Sequence, residues 1–218
     1  DNGSVYDDLE DGVSVTTYTV AEGAKRFIAE VIQSASPDLD MFVGIDTNGD
    51  GIPQEDEEIA RSATATALEK VDLMMPEAGT YWVIIQNWAS AEEGSEDAYT
   101  LASAIVDGEE GDNLSVEADA AVPQLTEFDA RFLWNLPDSM AGYMYYGAVD
   151  LGTSADDAGN LGLIAVDVKR GMDDVTISSN ASDYMQRTDS VDYSVNVLAN
   201  LTNEDREYTV NATVPSGM

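Results

Sequence analysis

Hydrophobic and polar residues alternate along much of this chain with a period of two, the repeat of a β-strand that buries one face. The alternation is clear in residues 13–20, 39–45, 128–136, 191–197 and 208–214. In residues 39–45, Leu39, Met41 and Val43 point to one side and Phe42 to the other. The first half contains no helical periodicity of comparable length. The pattern therefore predicts an all-β protein.

Two runs are apolar without alternation, namely residues 80–86 and 161–168. A short apolar run bounded by turn residues is typical of a strand covered on both faces, so we expect residues 80–86 to be central in a sandwich and residues 161–168 to form a buried-type strand. Residues 25–33 have apolar side chains on both sides and fit a strand better than a short helix, since strand-like runs flank them. Strands about ten residues apart, separated by turns, predict β-sandwiches.

The acidic, glycine-containing run at residues 107–113 divides the chain into two parts, because it cannot bury a core. We expect one β-sandwich in residues 1–108, a linker at 109–113 and a second β-sandwich in 114–218. Residues 1–12 are polar and acidic and are interpreted as a linker or a first edge. The second sandwich is expected to be incomplete at its C-terminus, and the whole chain to be a piece of a longer protein.

Charge narrows the choice of partners. The chain has 218 residues, of which 43 are acidic and 9 basic, so its net charge is −34. Such a charge repels nucleic acids and anionic membranes, and we expect neither as a partner. A charge of this sign favours solubility in salt, and it attracts divalent cations or a basic partner. A hydrophobic fraction of 44% is ample for a folded core.

The residues that are missing exclude several chemistries. The chain contains no cysteine and no histidine. It therefore cannot form a Ser-His-Asp or Cys-His catalytic group, and it lacks the usual zinc ligands. No apolar run in these residues is long enough to span a membrane, and we expect no signal peptide among them. We expect a non-enzymatic, monomeric chain.

One segment, residues 46–57, has the spacing of a calcium-binding loop. Oxygen-bearing side chains occupy its positions 1, 3, 5 and 12, a glycine occupies position 6, and position 7 offers its carbonyl. The predicted ligands are Asp46, Asn48, Asp50, Ile52 (through its carbonyl oxygen) and Glu57. Because a strand rather than a helix precedes the loop, we predict a structural Ca²⁺ ion and not an EF-hand sensor. The alternative is an acidic, solvated turn.

Three short motifs resemble the bacterial pre-peptidase C-terminal domain, known as PPC. They are Asp38-Leu39-Asp40-Met41-Phe42-Val43, Pro76-Glu77-Ala78-Gly79-Thr80-Tyr81-Trp82-Val83 and Tyr99-Thr100-Leu101. The resemblance covers residues 13–106 and implies a jelly-roll-like β-sandwich. The calcium loop departs from the pattern, since many members have a shorter turn there.

Residues 113–218 resemble, less specifically, the β-sandwich modules that follow the catalytic domain in secreted subtilisin-like serine peptidases of marine bacteria. The motifs are Tyr146-Gly147-Ala148-Val149-Asp150-Leu151-Gly152 and Asn160-Leu161-Gly162-Leu163-Ile164-Ala165-Val166-Asp167. This second resemblance implies a fibronectin-III-like or Ig-like sandwich in residues 114–218. Together the two resemblances imply a non-catalytic C-terminal region of a secreted peptidase, which aids substrate binding, secretion or maturation. Its expected partners are the upstream peptidase domain and a protein substrate.

Two other functions stay open. One is an adhesion or surface-protein fragment in which calcium stiffens tandem sandwiches. The other is a glycosidase that uses two carboxylates, but 43 acidic residues make such a pair uninformative. Asp38 and Asp40 lie on one face of their strand, so both approach an ion or both face water.

The remaining candidate residues have ordinary structural interpretations. Trp88 and the aromatic cluster of Tyr143, Tyr145 and Tyr146 are candidate substrate contacts. We expect Trp88 to fold back from a loop onto the sandwich edge and the tyrosines to pack on a strand. Lys25-Arg26 and Lys169-Arg170 are adjacent basic pairs, and the second is interpreted as local charge balance.

Overall fold

The computed structural model describes residues 4–119, 121–137, 140, 142–171, 175–179 and 193–197. Within these ranges the chain is all-β, with antiparallel strands and two short 3₁₀ turns at Glu55–Glu57 and Ala155–Asp157. The strands are β1 (Val13–Val20), β2 (Arg26–Ser34), β3 (Asp38–Ile45), β4 (Glu58–Ser62), β5 (Lys70–Met74), β6 (Gly79–Ala89), β7 (Tyr99–Val106), β8 (Leu114–Ala118), β9 (Ala130–Trp134), β10 (Met144–Leu151), β11 (Gly162–Lys169), β12 (Val175–Ser179) and β13 (Tyr193–Val197). The predicted fold class is confirmed.

Two sheets form the first sandwich. One has the strand order β1-β6-β3-β4 and the other β5-β2-β7. The main core contains Leu39, Met41 and Val43 from the first sheet and Phe27 and Val31 from the second, all nearly fully buried. The predicted orientation of residues 39–43 and the strand assignment of residues 25–33 are therefore confirmed.

Strand β6 is buried on both faces, as its apolar run predicts. Tyr81, Val83 and Ile85 point into the main core, whereas Trp82 and Ile84 belong to a second cluster on the outer face of the sheet. A continuous apolar strand needs cover on both sides, because an exposed row of such residues would lose the gain from burial. The two clusters supply that cover.

The N-terminal segment covers the second cluster. Val5 is 5% exposed and packs with Phe42, Trp82 and Ile84, and Tyr6, Leu9 and Val13 lie around them. Of the segment expected to be a linker or an edge, the described residues 4–12 instead form a packed strap across the outer face of the sheet. The acidic composition of this segment does not reveal its packing role, because only three apolar residues, Val5, Tyr6 and Leu9, provide the cover.

The remaining strands form two-stranded ribbons, β8-β9, β10-β11 and β12-β13. No residue of β11 is buried, and half-buried and exposed residues alternate from Ile164 onward, so the expectation that residues 161–168 form a buried-type strand is wrong. Strands β4, β8 and β12 had no clear sequence signal. The predicted strand at residues 208–214 lies outside the described residues.

Two compact units divide the chain. The first comprises Asp1–Ser139 and Tyr143–Lys169, and the second comprises Met140–Gly142 and Arg170–Met218. The domain boundary at residues 109–113 stays a prediction. No helix in the described ranges has the length and hydropathy needed to cross a membrane.

Candidate metal centre

The candidate calcium loop begins where β3 ends. The backbone N–H of Asp46 donates to the carbonyl oxygen of Thr80 on β6 (2.9 Å), which fixes the start of the loop to the sheet. The loop ends in the 3₁₀ turn Glu55–Glu57, and β4 follows directly and pairs with β3. Both ends of the segment are thus held by one sheet.

Side-chain oxygens organise the backbone of the loop. Asp46 accepts from the N–H groups of Gly49 (2.7 Å) and Gly51 (3.0 Å) through different carboxylate oxygens. Asn48 accepts from the N–H of Asp50, and Asp50 accepts from the N–H of Ile52, both at 2.8 Å. Local bonds of this kind replace the regular backbone ladder in a turn.

Gly51 has the backbone conformation that its loop position predicts. Its φ is +74°, in the left-handed region that glycine enters without steric cost. Gly49 has φ +77°. Two such residues within three positions turn the chain tightly inside the loop.

Glu57 connects the end of the loop to its beginning. Its side chain is buried, with the residue 4% exposed. Oε1 accepts from the backbone N–H of Thr47 (2.8 Å), from the Thr47 hydroxyl (3.0 Å) and from the N–H of Asn48 (3.3 Å). Oε2 lies 3.4 Å from the indole nitrogen of Trp82, which donates to it. The carboxylate therefore joins the loop to the second apolar cluster.

The donor set fits calcium in chemistry. All predicted ligands present oxygen, the atom that Ca²⁺ prefers, and three of the five carry a carboxylate. A carboxylate or amide oxygen that accepts one hydrogen bond keeps a second lone pair. In their present arrangement, however, no three acidic groups of the described chain converge on one point as metal ligands. Ile52, the carbonyl candidate, is 55% exposed.

Trp82 is the neighbour of the loop that the sequence did not reveal. Its indole lies against Gly44, where an added Cβ would be 2.0 Å from Cζ2 of the ring. Tyr6 packs edge-on against the same indole, with ring centroids 6.0 Å apart. Trp82 is read in sequence as one residue of an apolar run, and nothing in that run identifies the buried glutamate that it meets.

A second acidic group lies near the start of β3. Asp38 and Asp40 share one face of the strand, as predicted, and Oδ1 of Asp38 is buried without a hydrogen-bond partner. Burial, aided by the nearby charges of Asp38 and Glu69, raises the pKa of Asp40. Glu69 is itself buried and accepts from the hydroxyls of Ser62 and Thr64. These carboxylates also fail to form a group of metal ligands among the described residues.

The basic pair Lys25-Arg26 has a structural role. The guanidinium of Arg26 is fully buried and binds Asp72 through two hydrogen bonds (2.8 and 2.7 Å). Its third nitrogen reaches Asp167 of β11 (2.7 Å) and the carbonyl of Gly147 (3.0 Å). Lys25 pairs with Asp150 at 3.0 Å. These ion pairs hold the β10-β11 ribbon against the outer face of β2.

The aromatic candidates differ in exposure. The hydroxyl of Tyr146 donates to Glu30 (2.8 Å), and its ring lies against Arg26, so it packs on its strand as expected. Tyr143 is 48% exposed. Trp88 is 44% exposed and belongs to β6, so the expectation that it folds back from a loop is wrong.

No family model matches this chain, and no curated protein matches it. The class that the geometry defines is an antiparallel β-sandwich with an oxygen-rich loop joined to one sheet. The resemblance to PPC domains stays a prediction.

Proposed function

We propose that this chain is a non-catalytic accessory region of a secreted serine peptidase, whose first sandwich is stabilised by Ca²⁺ bound in residues 46–57. The observation that carries the proposal is the organisation of the loop. Asp46, Asn48 and Asp50 all hold backbone N–H groups, and Glu57 returns to residues 47 and 48. Positions 1, 3, 5 and 12 of the predicted calcium loop thus all organise its backbone.

Calcium would offset the repulsion inside this loop. Asp46, Asp50 and Glu57 are all acidic, and Glu55, Asp56 and Glu58 lie beside them in the sequence. An ion held by Asp46, Asn48, Asp50, the Ile52 carbonyl and Glu57 supplies the opposite charge, so binding stabilises the folded state by mass action. Extracellular fluids contain calcium at concentrations that fill even weak sites of this kind.

The peptidase context comes from the resemblance of the PPC motifs and of the second module. The composition supports the accessory role, since a chain without histidine or cysteine lacks the residues of common peptidase mechanisms. The role would be to engage a protein substrate, to aid secretion or to control maturation. Trp88 and Tyr143, both about half exposed, are the aromatic groups available for such contacts.

A calcium-stiffened adhesion or surface fragment is the second candidate. The buried Arg26 favours it, because this residue ties the β10-β11 ribbon to β2 and would resist bending between them. Co-sedimentation with an insoluble protein such as collagen separates the two functions. Retention that falls when Trp88 and Tyr143 are changed to Ala supports a substrate-binding accessory region.

Thermal unfolding in millimolar calcium and in excess chelator, at matched ionic strength, tests the metal. We expect a higher Tm in calcium, and we expect the variant Asp46→Ala with Glu57→Gln to lose that increment. Glu22→Gln with Asp112→Ala is the matched control, since both residues are exposed and the charge change is the same. Equal melting temperatures of the unmodified chain in the two media would refute the calcium function.

A further inference from the structure

The N-terminal strap and the candidate calcium loop meet at the same tryptophan. Trp82 donates to Oε2 of Glu57 through its ring nitrogen, and the ring of Tyr6 packs on the same indole. Tyr6 also packs on Phe42, with centroids 6.2 Å apart. Trp82 is 1% exposed, so these neighbours enclose it completely.

A second connection runs through the residue after Glu57. The hydroxyl of Tyr6 donates to Oε2 of Glu58 at 2.7 Å. Glu58 also binds Arg61, whose guanidinium lies 5.4 Å from the centre of the Phe42 ring. Burial, together with the bond to Glu58, raises the pKa of the Tyr6 phenol. The phenol therefore stays protonated and keeps donating throughout the ordinary pH range.

Two carboxylates that are adjacent in the sequence therefore connect the calcium loop to the strap. Glu57 points to the loop start and to Trp82, while Glu58 points to the strap. The 3₁₀ turn that ends at Glu57 places both groups, so whatever fixes one of them restricts the other. Coupling of this kind needs no large movement, because ordering one element lowers the entropy cost of ordering the next.

We propose that calcium binding in residues 46–57 tightens the docking of the strap, residues 4–12, over Trp82. This inference rests on the proposed calcium function of the loop and adds a structural consequence to it. The strap is the responsive element because residues 4–11 belong to no strand and are held by the side chains of Val5, Tyr6 and Leu9, while only Gly12, at the end of the strap, accepts a backbone hydrogen bond from Asn87 of β6. Local opening of such segments is governed by few contacts.

Linkage makes the proposal reciprocal. If calcium stabilises the docked strap, then a strap that cannot dock must weaken calcium binding by the same factor. Tyr6→Ala removes both the ring contacts and the bond to Glu58, whereas Tyr6→Phe removes only the bond. Tyr18→Phe is the matched control, because the Tyr18 hydroxyl makes a comparable bond to Ser103 on the other sheet.

Two measurements on the full chain test the coupling. Titration calorimetry with Ca²⁺ gives the affinity of each variant, and amide hydrogen exchange with and without Ca²⁺ reports the strap. We expect calcium to slow exchange in residues 4–12 more than in β7. We also expect Tyr6→Ala to weaken calcium binding by about fivefold or more, and Tyr18→Phe to leave it unchanged.

The outcomes separate the coupling from the calcium function itself. Calcium binding to the unmodified chain with no change of exchange in residues 4–12, and with equal affinity in all variants, would overturn the coupling and leave the proposed function intact. An absence of calcium binding would overturn both. If Tyr6→Ala does not fold, hydrogen exchange of the unmodified chain still decides, because the comparison of residues 4–12 with and without Ca²⁺ needs no variant.

Discussion

The guanidinium of Arg26 donates two hydrogen bonds to the carboxylate of Asp72, and Arg26 is wholly buried. Asp72 lies opposite Ile28 on the neighbouring strand β5, so the pair bridges β2 and β5 across the outer face of their sheet. Asp167 and the Gly147 carbonyl complete the surroundings of Arg26. A buried cation keeps its charge at acceptable cost only when such partners surround it.

Arg26→Met should therefore destabilise the chain by about 3 kcal/mol, the lower part of the range for breaking a buried ion pair, since its carboxylate partners retain some solvent. Urea unfolding followed by circular dichroism measures this change. Arg131→Met is the control, because the Arg131–Glu117 pair is largely exposed and should be worth less than about 1 kcal/mol. Equal losses in the two variants would contradict a special role for Arg26.

Asp167 gives this network a defined pH dependence. Burial opposes its ionisation, but hydrogen bonds from Arg26 and Lys70 outweigh burial and hold the pKa of the carboxyl below its usual value. A depressed pKa stabilises the folded state above the unfolded pKa of about 3.9, and this contribution disappears as the pH falls through the folded value. The stability advantage over Asp167→Asn should therefore be constant near neutrality and shrink below about pH 4.

Unfolding at a series of pH values checks this expectation. The groups that face Asp167 are Arg26 and Lys70 on the sandwich, and Glu30 and Asp72 lie next to them. Asp112→Asn, an exposed aspartate in the acidic run, is the control. An advantage of Asp167 that persists unchanged at pH 2 would show that its charge does not matter.

The strands of the first sandwich can be predicted from the sequence because their pattern of apolar residues shows which faces are buried. Residues 39–43 alternate, and residues 81–85 of β6 are all apolar. These patterns follow from the period of a strand and from cover on one or both faces. The packing of the N-terminal strap, in contrast, cannot be predicted from the pattern of its residues. Val5, Tyr6 and Leu9 lie in a polar, acidic stretch without periodicity, and only the three-dimensional position of Trp82 gives them a role.

The candidate site shows the same division. The positions of Asp46, Asn48, Asp50 and Gly51 follow from local spacing, because each organises backbone only a few residues away. Partners distant in sequence were not predictable. Glu57 meets Trp82 25 residues later, and Arg26 meets Asp167, because sheet pairing and packing bring them together. A period of two says which face a residue takes but not which residue faces it.

Gly44 is required by the indole of Trp82. An added Cβ would lie 2.0 Å from Cζ2, a distance that only a displaced ring or strand could relieve. Gly44→Ala should cost about 1–3 kcal/mol, as overpacking of a filled core does. Denaturant unfolding gives the value, and Gly171→Ala, where a Cβ meets nothing within 4 Å, should be neutral. A neutral Gly44→Ala would mean that Trp82 moves freely, and the link between strap and loop would lose its support.

Asp40 should behave in the opposite sense to Asp167. Burial raises its pKa, and the neighbouring charges of Asp38 and Glu69 add to the shift, so at neutral pH its negative charge opposes folding. Asp40→Asn keeps the shape and removes the charge. We expect it to stabilise the chain by about 0.5–1 kcal/mol at pH 7, in the range of single favourable charge changes.

This gain should vanish under acid conditions. A group whose folded pKa is raised costs stability above that pKa, and the cost is gone below the unfolded value of about 3.9, where both states bind the proton. Melting temperatures of Asp40→Asn and the unmodified chain should therefore converge as the pH falls to about 3. Asp8→Asn, which removes an exposed charge, serves as the control. If Asp40→Asn destabilises the chain at pH 7, then the carboxylate has a favourable partner, and a cation near Asp38 and Asp40 becomes the first explanation to test, by repeating the melts in calcium and in chelator.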